Sequence, residues 1–197
     1  MSSASDPTRH NFWTVRYAAG TTPWDFEGIP AALRKFLRRV PHGGRVLIPG
    51  CGLGYEVKAF HDAGFDVTAV DFSPVAIERA RLHLGPLGDR VRRLNFFTSK
   101  VPGGPFDLVY ERTFLCSMPP ARWPAYVRRV SQLLHPRGRL AGLFFLGKAR
   151  GGPPFPIREA QLDELFRGTF RRTRDEPVKD SLPLFVGRER WQEWTRV

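Results

Sequence analysis

Cysteine, lysine, acidic residues and long apolar runs are all scarce in this 197-residue chain. Only Cys51 and Cys116 occur, with no CxxC pair, which excludes a disulfide framework and argues against a thiolate metal site. The five histidines have no ligand spacing, so no metal is expected. No apolar run approaches the roughly 20 residues of a membrane-spanning helix. The polar N-terminus has no signal-peptide profile. The expectation is a cytoplasmic, metal-free protein that does not engage a membrane.

The shortage of acids leaves a net charge of +12, carried by 26 Arg and only 5 Lys. Such a balance is compatible with nucleic-acid binding. The arginines are nevertheless scattered singly or in pairs such as Arg38–Arg39, Arg92–Arg93 and Arg171–Arg172, without a basic run or tail. A solvated basic surface is the favoured reading, so no nucleic-acid partner is expected. The positive field would still draw in small anions.

What the chain does have is a strand–turn–helix–strand unit, RVLIPGCGLGYEVKAFHDAGFDVTAVDFSP, from Arg45 to Pro74. An apolar run at Val46–Ile48 enters the turn Gly50, Cys51, Gly52, Leu53, Gly54. A helix over Tyr55–Ala63 and a second strand over Val67–Val70 follow, ending on Asp71, 21 residues after Gly50. Glycines let the backbone turn tightly and let a ligand approach without a Cβ in the way. The next helix N-terminus offers free N–H groups. A carboxylate closing the second strand suits ribose hydroxyls, and Phe72 suits the face of an adenine. The pattern is GxGxG rather than GxGxxG. Its context still points to a nucleoside cofactor.

The unit resembles the cofactor motifs of class I S-adenosylmethionine-dependent methyltransferases. More narrowly, FWTVRYAAGTTPWD (12–25), PGCGLGYE (49–56), YERTFLCSMPP (110–120) and GGPPFPI (151–157) are similar to the thiopurine S-methyltransferase family and its thiol, thiocyanate and halide methyltransferase relatives. The resemblance runs from Phe12 to about Trp194. It implies one α/β domain over residues 9–197: a Rossmann-like, mostly parallel seven-stranded sheet closed by a C-terminal antiparallel hairpin. Residues 9–44 would form an N-terminal helical cap, after a disordered lead-in at 1–8. S-adenosylmethionine is the implied cofactor and S-adenosylhomocysteine the product.

Further elements follow from spacing and punctuation. Short helices are expected over Arg9–Tyr17 and Pro30–Val40, and a Ser73-capped helix over Pro74–Leu84. A third strand should cover Val91–Phe97 and a fourth Phe106–Tyr110. A helix over Ala121–Leu134, a strand over Leu140–Leu146 and a helix over Ile157–Phe166 come next. Segments Thr169–Thr173 and Leu184–Trp191 suit the closing hairpin. On spacing alone, Trp13 and Trp24 staple the N-terminus down. By resemblance they touch the cofactor, which a cation–π attraction to its sulfonium would favour.

The loop after the fourth strand should face the transferred methyl group, since open α/β sheets bind ligands at the carboxyl ends of their strands. By resemblance Glu111 fills the family's acidic position, touching cofactor and reaction centre, and Arg112 engages the acceptor. Plant-type halide and thiocyanate enzymes carry a tyrosine where this chain has Arg112. Asn95 and Phe96, at the end of the third strand, are candidates for adenine contact, Asn95 alternatively being an ordinary strand-end polar residue. Cys116 reads as a small core residue. The expected reaction is S-methylation of a small thiol, thiopurine or related soft nucleophile by a monomer. A thiocyanate, bisulfide or halide methyltransferase is the alternative, and a cofactor-binding RNA-associated protein the second.

Overall fold

The computed structural model describes residues 5–148 and 151–197. Its elements run α1 (His10–Ala18), α2 (Ala31–Leu37), β1 (Arg45–Pro49), α3 (Tyr55–Asp62), β2 (Asp66–Asp71), α4 (Pro74–Leu84), β3 (Val91–Arg93), β4 (Phe106–Arg112), α5 (Trp123–Leu133), β5 (Leu134–Phe145), α6 (Glu159–Phe166), β6 (Phe170–Pro177) and β7 (Glu189–Arg196). Short 3-10 helices sit at Gly85–Arg90, Leu115–Ser117 and Pro120–Arg122.

Alternation within the strands decides which layer each side chain joins. Val46 and Ile48 of β1 point to one face, packing with Phe60, Leu108 and Tyr110. Leu47 points to the other, with Phe106, Val109, Tyr126 and Phe166. Both faces are therefore apolar, as expected of parallel strands covered on two sides by helices. Each fully buried Phe contributes roughly 1.5–3 kcal/mol, so these two layers dominate the stability.

The seven strands lie in the order β3-β2-β1-β4-β5-β7-β6. Strands β1 to β5 pair in parallel, and β7 runs antiparallel between β5 and β6. The α/β class and the closing hairpin are as the sequence implied. Order reverses between β1 and β4, opening a crevice at their carboxyl ends. Ser73 caps α4 as expected, its Oγ accepting from Ala76 N at 3.3 Å. Its hydroxyl also meets Thr14 Oγ1 at 3.1 Å, tying α1 to α4 beside the crevice.

Several boundaries differ from expectation, each for a local reason. Strand β3 stops at Arg93 instead of reaching Phe97, because Asn95 starts a turn: its Oδ1 accepts from Phe97 N (3.0 Å) and its carbonyl from Thr98 and Ser99. Strand β4 continues through Glu111 and Arg112, which pair with Gly142 and Leu143 of β5. Strand β5 starts early, at Leu134, with a register shift opposite Phe106–Leu108. Strand β7 lies further along the chain than the expected Leu184–Trp191. Residues 1–4 of the expected lead-in lie outside the described residues. Asp6–Thr8 instead form a turn, Asp6 Oδ1 accepting from Thr8 N at 2.8 Å and from Thr8 Oγ1 at 2.7 Å.

Candidate active site

A cavity of about 490 Å³ opens at the β1/β4 crevice. That is within the ordinary range for small-molecule sites. Its floor is the glycine turn. Gly50 and Gly52 take φ of 60° and 52°, left-handed values that any side chain adopts only with strain. A Cβ on Gly52 would lie 2.7 Å from the Tyr17 hydroxyl, and one on Gly50 would collide with the Phe114 ring. The turn is thus a cradle whose surface is backbone. Cys51, between the two glycines, also faces the cavity. Burial and the nearby Asp71 push its thiol well above the usual range, so it is no nucleophile.

Asp71 closes β2 at one end of the cavity, 7% exposed. Its Oδ1 accepts from Ser73 N at 2.9 Å and its Oδ2 from Gly52 N at 3.2 Å, so it also fixes the glycine turn. Burial raises its pKa to about 6 despite the N–H donors around it. Each carboxylate oxygen retains acceptor capacity. Phe72, Asn95 and Phe96 line the same end. The Oδ1 of Asn95 is engaged within its own turn, so the residue is placed by a loop rather than by a strand end.

The N-terminal cap forms the roof. Trp13 donates from Nε1 to Pro7 O at 2.8 Å, which draws the lead-in over the cavity. Trp13 and Trp24 meet edge-on at 5.4 Å, and Trp24 meets Tyr17 at 5.9 Å. Both tryptophans line the cavity while also stapling the cap, so the two readings of them are compatible.

Arg112 emerges from the end of β4 into the cavity. Its Nη1 donates to Glu56 Oε1 at 3.3 Å and its Nη2 to the Trp24 carbonyl at 3.3 Å. Its guanidinium stands 5.2 Å from the Phe26 ring centre. Burial opposes its charge, but Glu56, Tyr110 and Glu189 together raise its pKa. Its Nε is buried without a hydrogen-bond partner among the described residues. Tyr110 Oη, also from β4 and also facing the cavity, is in the same condition. Glu56, in the first turn of α3, is buried, and burial raises its pKa while Arg112 pulls it back.

Two expected site residues are not on the wall. Glu111 points away from the cavity, as the neighbour of Arg112 in a strand must. Its carboxylate is consumed by Phe114 N, Leu115 N and Tyr126 Oη. Gly54 also lies outside the lining; a Cβ there would sit 2.9 Å from Leu84 Cδ1, so it serves the close packing of α3 on α4. Conversely, Tyr17, Glu56, Tyr110 and Phe114 are site residues to which the sequence reading gave no role there. All four lie inside the quoted motif segments, Tyr17 in 12–25, Glu56 in 49–56, and Tyr110 and Phe114 in 110–120, which is the signal that could have found them. Among the described residues no His, Cys, Asp and Glu cluster could hold a metal.

The residues present fit a nucleoside cofactor with a charged sulfur: a Cβ-free cradle, a buried ribose-type carboxylate, an aromatic roof and orphan buried donors. The comparisons agree. Residues 8–196 match the family described as Thiopurine S-methyltransferase (TPMT). The chain is similar to a probable thiol methyltransferase 2 of Arabidopsis thaliana, 32% identical over 78% of this chain and 70% of that one. It is also similar to a thiopurine S-methyltransferase of Vibrio cholerae, 29% identical over 80% of each. Among solved structures it resembles the Burkholderia thailandensis 1,6-didemethyltoxoflavin-N1-methyltransferase with bound S-adenosylhomocysteine. The TM-score is 0.73 at 22% identity, over 95% of this chain and 87% of that one. A TehB-like methyltransferase of Corynebacterium glutamicum gives a TM-score of 0.66 at 18% identity, over 94% of both chains. The chain belongs to the thiopurine S-methyltransferase family and is an S-adenosylmethionine-dependent methyltransferase.

Proposed function

We propose that this enzyme S-methylates small thiols carrying an apolar body, such as aromatic thiols or thiopurines. The observation that carries the reading is the composition of the wall facing the glycine turn. Phe114, Met118, Pro153, Pro154 and Phe185 supply an apolar surface, and Arg112 supplies a buried donor in Nε. An apolar acceptor body would fill the first, and its sulfur would meet the second.

Bound S-adenosylmethionine supplies a methyl group already activated on a sulfonium. The protein is left to position the partners and exclude water. Gly50, Cys51 and Gly52 would present their backbone to the cofactor, Asp71 would accept from ribose hydroxyls, and Phe72 with Phe96 would supply apolar surface for the adenine. Trp13 and Trp24 would offer aromatic surface to the positive sulfur. Arg112 favours the thiolate over the thiol by the hydrogen bond its free Nε–H can donate. No general base is required for an acceptor that arrives as an anion.

The second reading is methylation of a compact anion such as thiocyanate, bisulfide or iodide. A thiocyanate methyltransferase of Arabidopsis thaliana is 27% identical over 94% of this chain and 84% of that one. Against it stands the neutralisation of Arg112 by Glu56. A monomer acting in the cytoplasm, without nucleic acid or membrane, completes the proposal. The monomer is supported by a cavity lined from one chain.

The test is release of S-adenosylhomocysteine across one panel of 2-nitro-5-thiobenzoate, 6-mercaptopurine, bisulfide, thiocyanate, iodide and bulk RNA. Turnover concentrated on the aromatic thiols supports the first reading. Turnover confined to the small anions replaces it with the second. Turnover on RNA alone overturns both.

A further inference from the structure

Glu111 is 1% exposed, makes no ion pair among the described residues, and is turned away from the cavity. Yet it is one of the most heavily hydrogen-bonded side chains near it. Oε1 accepts from Phe114 N at 2.9 Å and Leu115 N at 2.8 Å, and Oε2 accepts from Tyr126 Oη at 2.7 Å. Its ends are thus anchored to α5 on one side and to the turn after β4 on the other.

That turn needs an anchor. Thr113 is left-handed at φ 58°, a conformation that costs a β-branched residue of order 1–3 kcal/mol. The two N–H groups that Glu111 binds follow immediately. They fix Phe114, whose ring covers Gly50, meets Phe96 edge-on at 5.1 Å and stacks with Phe97 at 6.4 Å. The same turn continues to Cys116, whose carbonyl accepts from Phe155 N at 2.7 Å in the glycine–proline segment. One buried carboxylate therefore controls a ring at the cavity floor.

We propose that Glu111 is a positioning residue for methyl transfer: it holds the strained Thr113 turn so that Phe114 forms the wall against which donor and acceptor align. The proposal rests on the methyl-transfer reading of the cavity. Nothing in it requires Glu111 to touch substrate or to move a proton. The titratable groups that feel its charge are Tyr110, its neighbour on β4, Cys116 in the turn and Tyr126 on α5; among the described residues no cation faces it.

The geometry makes one substitution diagnostic. In Glu111→Gln the amide oxygen still accepts from both backbone N–H groups, and the amide nitrogen donates to the Tyr126 oxygen, so the clamp survives without its charge. Glu111→Ala removes the clamp. The expected result is that E111Q keeps kcat within about twofold of wild type, whereas E111A and Phe114→Ala each lose about tenfold, roughly 1.4 kcal/mol of barrier. The E111A/F114A double variant should be no slower than the slower single, because both act through one ring. S-adenosylhomocysteine affinity by calorimetry should change little in E111Q. Equal loss in E111Q and E111A, or additive losses in the double variant, would overturn the proposal.

A second measurement is independent of turnover. Amide hydrogen exchange at Phe114 and Leu115 should accelerate about tenfold or more in E111A and stay slow in E111Q. Unchanged protection in E111A overturns the proposal even if activity falls. A wild type that methylates no thiol, with these amides still controlled by residue 111, would sink the acceptor reading and leave the clamp standing.

Discussion

Arg112 and Glu56 meet inside the cavity, Nη1 to Oε1 at 3.3 Å, with side chains only 11% and 7% exposed. Removing one partner strands the other in a low-dielectric wall. Arg112→Ala should therefore destabilise the fold by about 3–5 kcal/mol, and should lower thiol turnover more than cofactor affinity. Glu56→Gln should have a different signature. It leaves the guanidinium undivided, so KM for thiocyanate or iodide should fall several-fold while KM for a neutral thiol changes little. Steady-state kinetics on the two variants checks this; a higher KM for anions in E56Q would show that Glu56 does not restrain Arg112.

The Gly52 turn gives a prediction in which strain and contact separate. Gly52→Ala introduces a Cβ at φ 52°, 2.7 Å from the Tyr17 hydroxyl. The φ penalty alone is about 1–2 kcal/mol, and the contact adds to it. Calorimetry should find S-adenosylhomocysteine binding lost or weakened at least about tenfold, a 1.4 kcal/mol effect. Adding Tyr17→Phe to G52A should return part of the lost thermal stability, since only the contact is relieved. No recovery would assign the whole cost to the backbone.

Two buried carboxylates make the stability of the ligand-free enzyme depend on pH. Burial raises Asp71 to about 6 and Glu111 to about 7. Both therefore bind a proton more tightly folded than unfolded. Their contribution is fully present below the unfolded pKa, near 4. It is lost as pH rises through about 6 for Asp71 and about 7 for Glu111, at up to about 1.4 kcal/mol per unit for each. E111Q isolates one of the two. Relative to E111Q, the wild type should lose stability from about pH 5 to pH 7 and run parallel above that. Denaturation curves across this window decide it, and a difference that does not vary with pH would remove Glu111 as the titrating group.

The sequence disclosed the parts of this enzyme that depend on local order. Strand, glycine turn, helix and Asp71 are contiguous, so their spacing was enough to find the strand–turn–strand unit that lines one end of the cavity. Trp13 and Trp24 were legible only through resemblance, because nothing local says what a cap folds onto. Glu111 was misassigned for a specific reason. An acidic residue beside an arginine was placed in a loop facing the methyl group, but β4 extends through both residues. Strand alternation then turns Arg112 into the cavity and Glu111 out of it. Glu56 and Tyr110 lie within quoted motifs, but their meeting depends on which helix turn and strand face come together across the sheet switch, a tertiary fact that motif membership does not give.

That strand extension can itself be tested through Gly142. It pairs with Glu111 in the β4–β5 ladder, and a Cβ built on it would collide with the Glu111 backbone. No side-chain rotation relieves a clash with main chain. Gly142→Ala must therefore separate β5 from β4 directly behind the site, disturbing Arg112 and the Thr113 turn together. The expected loss exceeds about 3 kcal/mol, among the larger effects of a single substitution, with poor soluble yield. Gly168→Ala is the matched control. Its φ is 71°, also left-handed, but nothing lies within 4 Å of the added Cβ. It should cost only the conformational penalty, about 1–2 kcal/mol, and leave turnover intact. Urea denaturation of the two variants compares backbone strain with strand separation. If G142A were as stable as G168A, β4 would not be held against β5 at Glu111, and the outward orientation of that residue would lose its structural basis.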